Sequence, residues 1–148
     1  KTVNYNPCLH SNLSTWLRLL PALRDTLRRE MVDVYASFNE LAAREIEGQH
    51  YQIHVIDRGS SILILAPHGG HIEPGTLQIG KALADDYYSF YGFESLEKRG
   101  RATSLHITSS RFDEPRALDL LSRADLAISV HGRKDKDDAQ TLWVGGLH

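Results

Sequence analysis

"ILILAPHGGHIEPGTLQIG", from Ile62 to Gly80, is the stretch that decides the fold, because it changes character twice within a few residues. Its first four residues are apolar, as in a strand that is buried on both faces. Glycines and prolines then turn the chain, and from Thr76 onward the apolar residues have helical spacing. A buried strand, a glycine-rich turn and a helix in this order are typical of an α/β protein.

The surrounding sequence supports this class. "YQIHVI" at 51–56 alternates like a strand, and "DRGS" at 57–60 predicts a turn that joins it in a hairpin to "SILILA" at 61–66. Further strands are predicted at 87–95, 104–109, 126–132 (short and buried) and 141–146, and helices at 14–30, 33–48, 76–86 and 114–125. Strands that alternate with helices, plus one hairpin, predict an α/β fold with a mixed β-sheet flanked by helices.

Composition narrows the classes of protein. A chain of 148 residues is the size of one domain, and a net charge of −2 gives no general basic surface for nucleic acid. The single Cys8 excludes a disulfide framework and a multi-cysteine zinc site, and no apolar run is long enough for a membrane helix. We expect a soluble, cytoplasmic protein, or one released on lysis if a phage encodes it. Residues 1–31 are expected to be a helical N-terminal extension of a domain at 32–148.

Histidines follow two of the predicted strands. His68 and His131 are each the first polar side chain after an apolar run, and each precedes a glycine. Because the carboxyl ends of parallel strands share one edge of a sheet, we expect both rings in one crevice. Glu73 comes five residues after His68, and Gly69 and Gly70 permit the loop that would bring it back. Two histidines and one carboxylate are a ligand set that catalytic zinc uses.

Two other interpretations remain open on the residues alone. A histidine at the end of a strand is usually a surface or hydrogen-bonded residue. The glycine-rich turn before a helix could also cradle a phosphate, although no lysine follows the glycines as in a P-loop.

"APHGGHIEPGT" at 66–76, "LHITSSRFDEPRALDLLSRADLAISVHG" at 105–132 and "VGGL" at 144–147 resemble the poly-γ-glutamate hydrolase family of bacteria and their phages. The resemblance covers about residues 32–147. It implies a zinc peptidase related in fold to the zinc carboxypeptidases and aminoacylases, in which a metal-activated water cleaves γ-glutamyl amide bonds in an anionic polymer. Matched by position, the metal ligands would be His68, Glu73 and His131.

The same resemblance bears on the substrate and on the catalytic base. Poly-γ-glutamate carries an α-carboxylate on every unit, and Arg111 in "TSSRFDEP" matches a carboxylate-binding arginine; its alternative is an ion pair with Asp113 or Glu114. Related enzymes take the base from a later segment, so we expect the domain to be C-terminally incomplete, with Glu114 a weak candidate. Weaker substrate candidates are Arg58, Arg99, Arg101 and Arg133. His106 is expected in a strand, bracing the core or a ligand, and His71 could replace Glu73 or contact substrate.

Three functions therefore compete. The first is zinc-dependent hydrolysis of poly-γ-glutamate, and the second is zinc-dependent hydrolysis of another N-acyl amino acid or short γ-glutamyl peptide. The third is a zinc-containing module without catalytic activity of its own or dependent on a partner. Exposed sheet edges in an incomplete domain would also favour homo-oligomers.

Overall fold

The computed structural model of the protein describes residues 33–134, 141–142 and 144–145. All of them belong to one compact unit, Asp33–His148. The helix predicted at 14–30 and most of the charged stretch at 133–138 lie outside the described residues. Within them, every helix is too short or too polar to cross a lipid bilayer.

A four-stranded mixed sheet forms the centre of the unit. Its strands are β1 (Tyr51–Ile56), β2 (Ile62–Gly70), β3 (Ser89–Ser95) and β4 (Leu126–Ser129), in the spatial order β1-β3-β2-β4. β1 runs antiparallel to β3, whereas β2 is parallel to both β3 and β4. The predicted mixed sheet is confirmed.

Among the described residues, four α-helices accompany the sheet: α1 (Phe38–Ala42), α2 (Thr76–Ala84), α3 (Arg99–Ala102) and α4 (Pro115–Arg123). Thr76 begins α2 as predicted. Pro115 opens α4, where its missing N–H costs nothing, and the Glu114 side chain caps the helix by accepting from Ala117 N–H. Short 3₁₀ turns lie at Thr103–Leu105 and Ser109–Arg111.

Helices cover both faces of the sheet. On one face Leu63, Leu65, Tyr91 and Phe93 pack with residues of α1 and α4; on the other, Ile64, Ala66 and Phe90 pack with Leu77 and Ala84 of α2. Alternate residues of β2 therefore enter different cores, which is why its sequence is apolar without a break. The predicted α/β class with flanking helices is confirmed.

The predicted hairpin between 51–56 and 61–66 is wrong. β1 pairs with β3, and β2 lies on the other side of β3. The Tyr51 ring stacks on Phe93 with centroids 5.2 Å apart, so aromatic packing across 40 residues accompanies the observed pairing. A short turn sequence did not decide the partner of β1.

The strand predicted at 104–109 is also wrong. Leu105 and Ile107 are buried as alternation predicts, but Leu105 ends the first 3₁₀ turn and Ile107 lies between the two turns. Side chains take the backbone groups that a strand would need, since the His68 ring bonds Ile107 O and the Asp33 carboxylate accepts from Thr108 N–H. Consequently His106 is not in a strand.

Three further expectations need correction. Of the residues predicted to be helical at 33–48, only those of α1 are. The chain leaves the helix because the Glu45 side chain points into the protein and pairs with Arg101 at 2.8 Å. β4 exists, but all four of its residues are exposed rather than buried. In the stretch at 141–146, the described residues form no strand, and Leu142 and Val144 are exposed.

Candidate metal centre

His68 lies inside β2, close to the carboxyl edge of the parallel strands. The pairing of β2 with β3 shifts register between Ala66 and Gly69, and the imidazole between them is only 2% exposed. The backbone next to it passes very close to β3: a Cβ on Gly70 would lie 2.2 Å from Ser95 O, and Gly70 has φ +68°. Glycine is required at this position because a side chain would clash and strain the backbone.

Glu73 returns to His68 through a tight loop. The N–H of Glu73 donates to His68 O at 2.9 Å, and the Thr76 hydroxyl donates to Glu73 O at 2.8 Å. These bonds place Oε1 of Glu73 3.2 Å from Nδ1 of His68. The loop that the sequence predicted from its glycines therefore does bring the carboxylate back to the ring.

His131 approaches the same carboxylate from the end of β4. Its Nδ1 lies 3.4 Å from Oε2 of Glu73, and its ring centroid is 5.0 Å from that of His68. Nε2 of His131 lies 2.9 Å from the Ser129 hydroxyl. The N–H of Gly132 donates to Oε2 of Glu73 at 2.8 Å. The structure thus brings together His68, Glu73 and His131, the set expected from the sequence.

The hydrogen bonds of His68 fix which nitrogen faces the carboxylate. Nε2 of His68 lies 2.9 Å from Ile107 O, which can only accept, so Nε2 carries the proton. In the neutral ring Nδ1 then has a lone pair, and this lone pair faces Glu73 at 3.2 Å. A nitrogen lone pair and a carboxylate oxygen repel each other at this distance unless a cation, either an added proton or a metal ion, lies between them. Imidazole nitrogen and carboxylate oxygen suit zinc, so the donor set fits a zinc ion.

The charge of Glu73 is stabilised where it lies. Burial raises the pKa of the Glu73 carboxyl, but the neighbouring His131 and His68 rings and a hydrogen bond from the Gly132 N–H outweigh burial and hold it at about 2. Glu73 is therefore ionised at neutral pH. An ionised carboxylate between two imidazoles is ready to bind a divalent cation without first losing a proton.

A third imidazole, His106, joins this group. Its ring lies over His68 with centroids 4.3 Å apart, and one ligating atom from each of His68, Glu73 and His106 lies within 4.8 Å of the others. Nδ1 of His106 is 2.6 Å from Oδ1 of Asp33. The sequence predicted that His106 braces the core or a ligand from a strand, whereas its ring lies over His68 from a segment that is not a strand.

Arg111 lies beside this cluster but does not pair with Asp113 or Glu114. Its Nη2 donates to Oδ2 of Asp33 at 2.5 Å, and half of its side chain is exposed. The sequence did not indicate a functional role for Asp33, because no local pattern in "MVDVY" distinguishes it.

Glu114 serves the fold rather than the cluster. Its side chain is 2% exposed, accepts from Ala117 N–H at 2.9 Å and pairs with Arg116 at 2.7 Å. Ala117 and Arg116 belong to its own helix, and burial together with the nearby Glu114 charge raises the pKa of the Tyr91 hydroxyl in β3.

The remaining candidates from the sequence are Arg58, Arg101, His71, Arg99 and Arg133. Arg58 donates to Tyr88 O, and Arg101 pairs with Glu45 and Glu97. His71 and Arg99 are exposed on loop and helix surface, and Arg133 is exposed after β4. None of these five residues belongs to the group of His68, Glu73 and His106, whose ligating atoms lie within 4.8 Å of one another in the described part of the chain.

Several known proteins are similar to this chain in sequence. SPbeta prophage-derived UPF0714 protein YoqZ of Bacillus subtilis (strain 168) is 51% identical over 100 residues, which are 68% of this chain and 35% of YoqZ. UPF0714 protein YndL of the same organism is 43% identical over 114 residues, 77% of this chain and 43% of YndL. The chain thus spans less than half the length of these relatives.

Two solved structures are similar in fold. A zinc-free apo form of YndL matches with a TM-score of 0.65 at 43% identity, covering 71% of this chain and 50% of YndL. A bacteriophage poly-γ-glutamate hydrolase matches with a TM-score of 0.65 at 34% identity, covering 72% of this chain and 52% of that one. The model of the poly-γ-glutamate hydrolase family matches residues 35–148. The chain therefore belongs to the poly-γ-glutamate hydrolase family.

Proposed function

We propose that this chain takes part in the hydrolysis of γ-glutamyl amide bonds in poly-γ-glutamate, with a zinc ion held by His68, Glu73 and His131. One observation carries the proposal: the Nδ1 lone pair of His68 faces the ionised Glu73 carboxylate at 3.2 Å, with His131 on its other oxygen at 3.4 Å. The family match and the similarity to a bacteriophage poly-γ-glutamate hydrolase support the reaction class. The zinc-free form of YndL supports the choice of metal.

When bound, zinc would lower the pKa of a water and polarise an amide carbonyl. The chain's own residues would hold the metal ligands and the substrate in position. Ile107 O and the Ser129 hydroxyl hold the outer nitrogens of His68 and His131, which fixes both rings toward Glu73. The exposed guanidinium of Arg111 has donors left over after its bond to Asp33, and these can bind the α-carboxylates of the polymer.

The first experiment measures zinc and cleavage together. Purified protein is assayed for bound zinc by elemental analysis and for shortening of poly-γ-glutamate with and without a chelator. We expect His68→Ala to lose both. His54→Ala is the matched control, since His54 also pairs with a glutamate, Glu94, at 2.7 Å. It lies outside the group of His68, Glu73 and His106, here called the metal cluster. Zinc-independent shortening, or unchanged zinc in His68→Ala, would contradict the proposal.

A second pair of variants identifies the third ligand. His131→Gln and His106→Gln each remove one of the two rings near His68 and keep a polar side chain. We propose His131 as the ligand, so zinc affinity should fall far more in His131→Gln. The opposite order would assign the site to His68, Glu73 and His106, which also lie within 4.8 Å of one another.

A zinc-containing module that needs a partner is the second candidate function. It is favoured by the engagement of Glu114 in helix capping, which leaves the base unassigned among the described residues. Stoichiometric zinc and polymer binding without cleavage would select this function. Preference for short γ-glutamyl peptides or other N-acyl amino acids over polymer would select the alternative substrate.

A further inference from the structure

The loop 106–111 touches both histidines of the proposed zinc site. Ile107 O accepts from Nε2 of His68 at 2.9 Å, and the Ser109 hydroxyl lies 3.4 Å from Nε2 of His131. The His106 ring covers His68 with centroids 4.3 Å apart. A displacement of this loop would therefore disturb the outer contacts of His68 and His131 at the same time.

The loop has little regular structure of its own to keep it in place. Residues 106–108 lie in neither a helix nor a strand, and residues 109–111 form only the second 3₁₀ turn. Backbone outside helices and strands is held by side-chain bonds and packing rather than by a ladder. Ile107 packs in the core, but this contact anchors only one point of the loop.

Asp33 supplies bonds at three further points. Its Oδ1 accepts from Nδ1 of His106 at 2.6 Å, and its Oδ2 accepts from Thr108 N–H at 2.7 Å and from Arg111 at 2.5 Å. The Asp33 side chain is 1% exposed. A buried carboxylate with several donors is costly to disturb, because removing its charge leaves those donors without an equivalent acceptor.

We propose that Asp33 is a positioning residue of the zinc site, which holds the loop 106–111 so that Ile107, Ser109 and His106 keep the rings of His68 and His131 in their metal-binding orientation. The same carboxylate fixes one side of Arg111 and so places its remaining donors for an anionic substrate. Asp33 precedes residues 35–148, to which the family model applies. The inference rests on the proposed function insofar as the ligands are those of zinc.

Asp113 provides a matched comparison. Its Oδ1 accepts from Phe38 N–H at 2.6 Å, so it also ties the stretch around Arg111 to the segment at the start of the unit. Asp113 lies after the loop, however, and its hydrogen bond joins it to α1 rather than to the loop. Asp113→Asn therefore removes an aspartate charge from the same neighbourhood without releasing the loop.

The test compares wild type, Asp33→Asn and Asp113→Asn in two measurements. Zinc affinity is measured by competition with a chelating indicator at a temperature where circular dichroism shows all three proteins folded. Long-range ¹H–¹⁵N spectra of the metal-free protein report which ring nitrogen of each histidine carries the proton. We expect about a tenfold loss of zinc affinity in Asp33→Asn, the lower end of the range for residues that orient ligands, and no change in Asp113→Asn.

The spectra make the proposal falsifiable without metal or activity. In wild type we expect protonated Nε2 in His68 and protonated Nδ1 in His106, and in Asp33→Asn displaced resonances for His68, His106 and His131. Equal effects of Asp33→Asn and Asp113→Asn would overturn the proposal, and so would a wild-type His106 protonated at Nε2, even if Asp33→Asn failed to fold. If wild type bound no zinc while the spectra changed only in Asp33→Asn, the proposed function would fail and the positioning of the rings would stand.

Discussion

Nδ1 of His68 lies 3.2 Å from Oε1 of Glu73, five residues further along the chain. This relationship predicts that Glu73→Gln, which keeps the shape of the side chain but removes its charge, lowers zinc affinity by more than about 100-fold, beyond the loss typical of residues that only orient a ligand. Competition with a chelating indicator measures the change. Glu94→Gln is the control, because Glu94 pairs with His54 outside the metal cluster. Similar affinities in the two variants would remove Glu73 from the ligand set.

Acid should weaken the metal-free fold through Asp33. Burial raises the pKa of the Asp33 carboxyl, but hydrogen bonds from Thr108 and His106 outweigh burial and lower it from 3.8 to about 2. A carboxyl with a lowered pKa adds stability that is fully present above its unfolded value and is lost as pH falls through its folded value. Urea unfolding in the presence of chelator should therefore show a loss between about pH 4 and pH 2 that is smaller in Asp33→Asn. If the free energy of unfolding depended equally on pH in wild type and in Asp33→Asn, the result would contradict this prediction.

Gly70→Ala should destabilise the unit by about 2–4 kcal/mol, since it adds both backbone strain and a clash. Gly70 has φ +68°, and an added Cβ would lie 2.2 Å from Ser95 O. Urea unfolding measures the change in free energy. Gly100→Ala in α3 is the control, as its Cβ would meet nothing within 4 Å. Equal stability of wild type and Gly70→Ala would show that the close approach of β2 and β3 is not required.

Glu114→Ala should cost about 2–4 kcal/mol, because it removes a helix cap and leaves the Arg116 guanidinium without one of its acceptors. Glu40→Ala, which removes an exposed acceptor from Ala36 N–H, should cost far less. Glu114→Gln keeps an oxygen for the cap, so we expect it to retain zinc and any polymer cleavage. A folded Glu114→Gln that binds zinc but has lost cleavage would restore Glu114 as the base.

Self-association should depend on β4. This strand is at an edge of the sheet, and its Leu126 and Ile128 side chains are 41% and 43% exposed. Lysine on an edge strand discourages pairing with another chain, so Ile128→Lys should shift sedimentation toward the monomer. Leu83→Lys is the control, because Leu83 is comparably exposed but lies on α2. Homo-oligomers that persist equally in both variants would place the interface elsewhere.

The local elements around the site follow from the amino-acid sequence alone. The uninterrupted apolar run of β2, Pro115 at the start of α4 and the helical spacing after Thr76 each act through neighbours in sequence, so the pattern was enough. It also brought out His68, Glu73 and His131, because strand ends and glycine-rich loops mark such positions without knowledge of the partners. Whether these three bind zinc remains a prediction.

Features that depend on distant partners needed the three-dimensional structure. β1 joined β3 rather than β2 because side chains far apart in sequence packed together, and residues 104–109 formed no strand because His68 and Asp33 took the backbone groups of Ile107 and Thr108. Asp33 reached Arg111 from 78 residues away. Hydrogen bonds and packing of this kind depend on distances in space, which local periodicity does not encode.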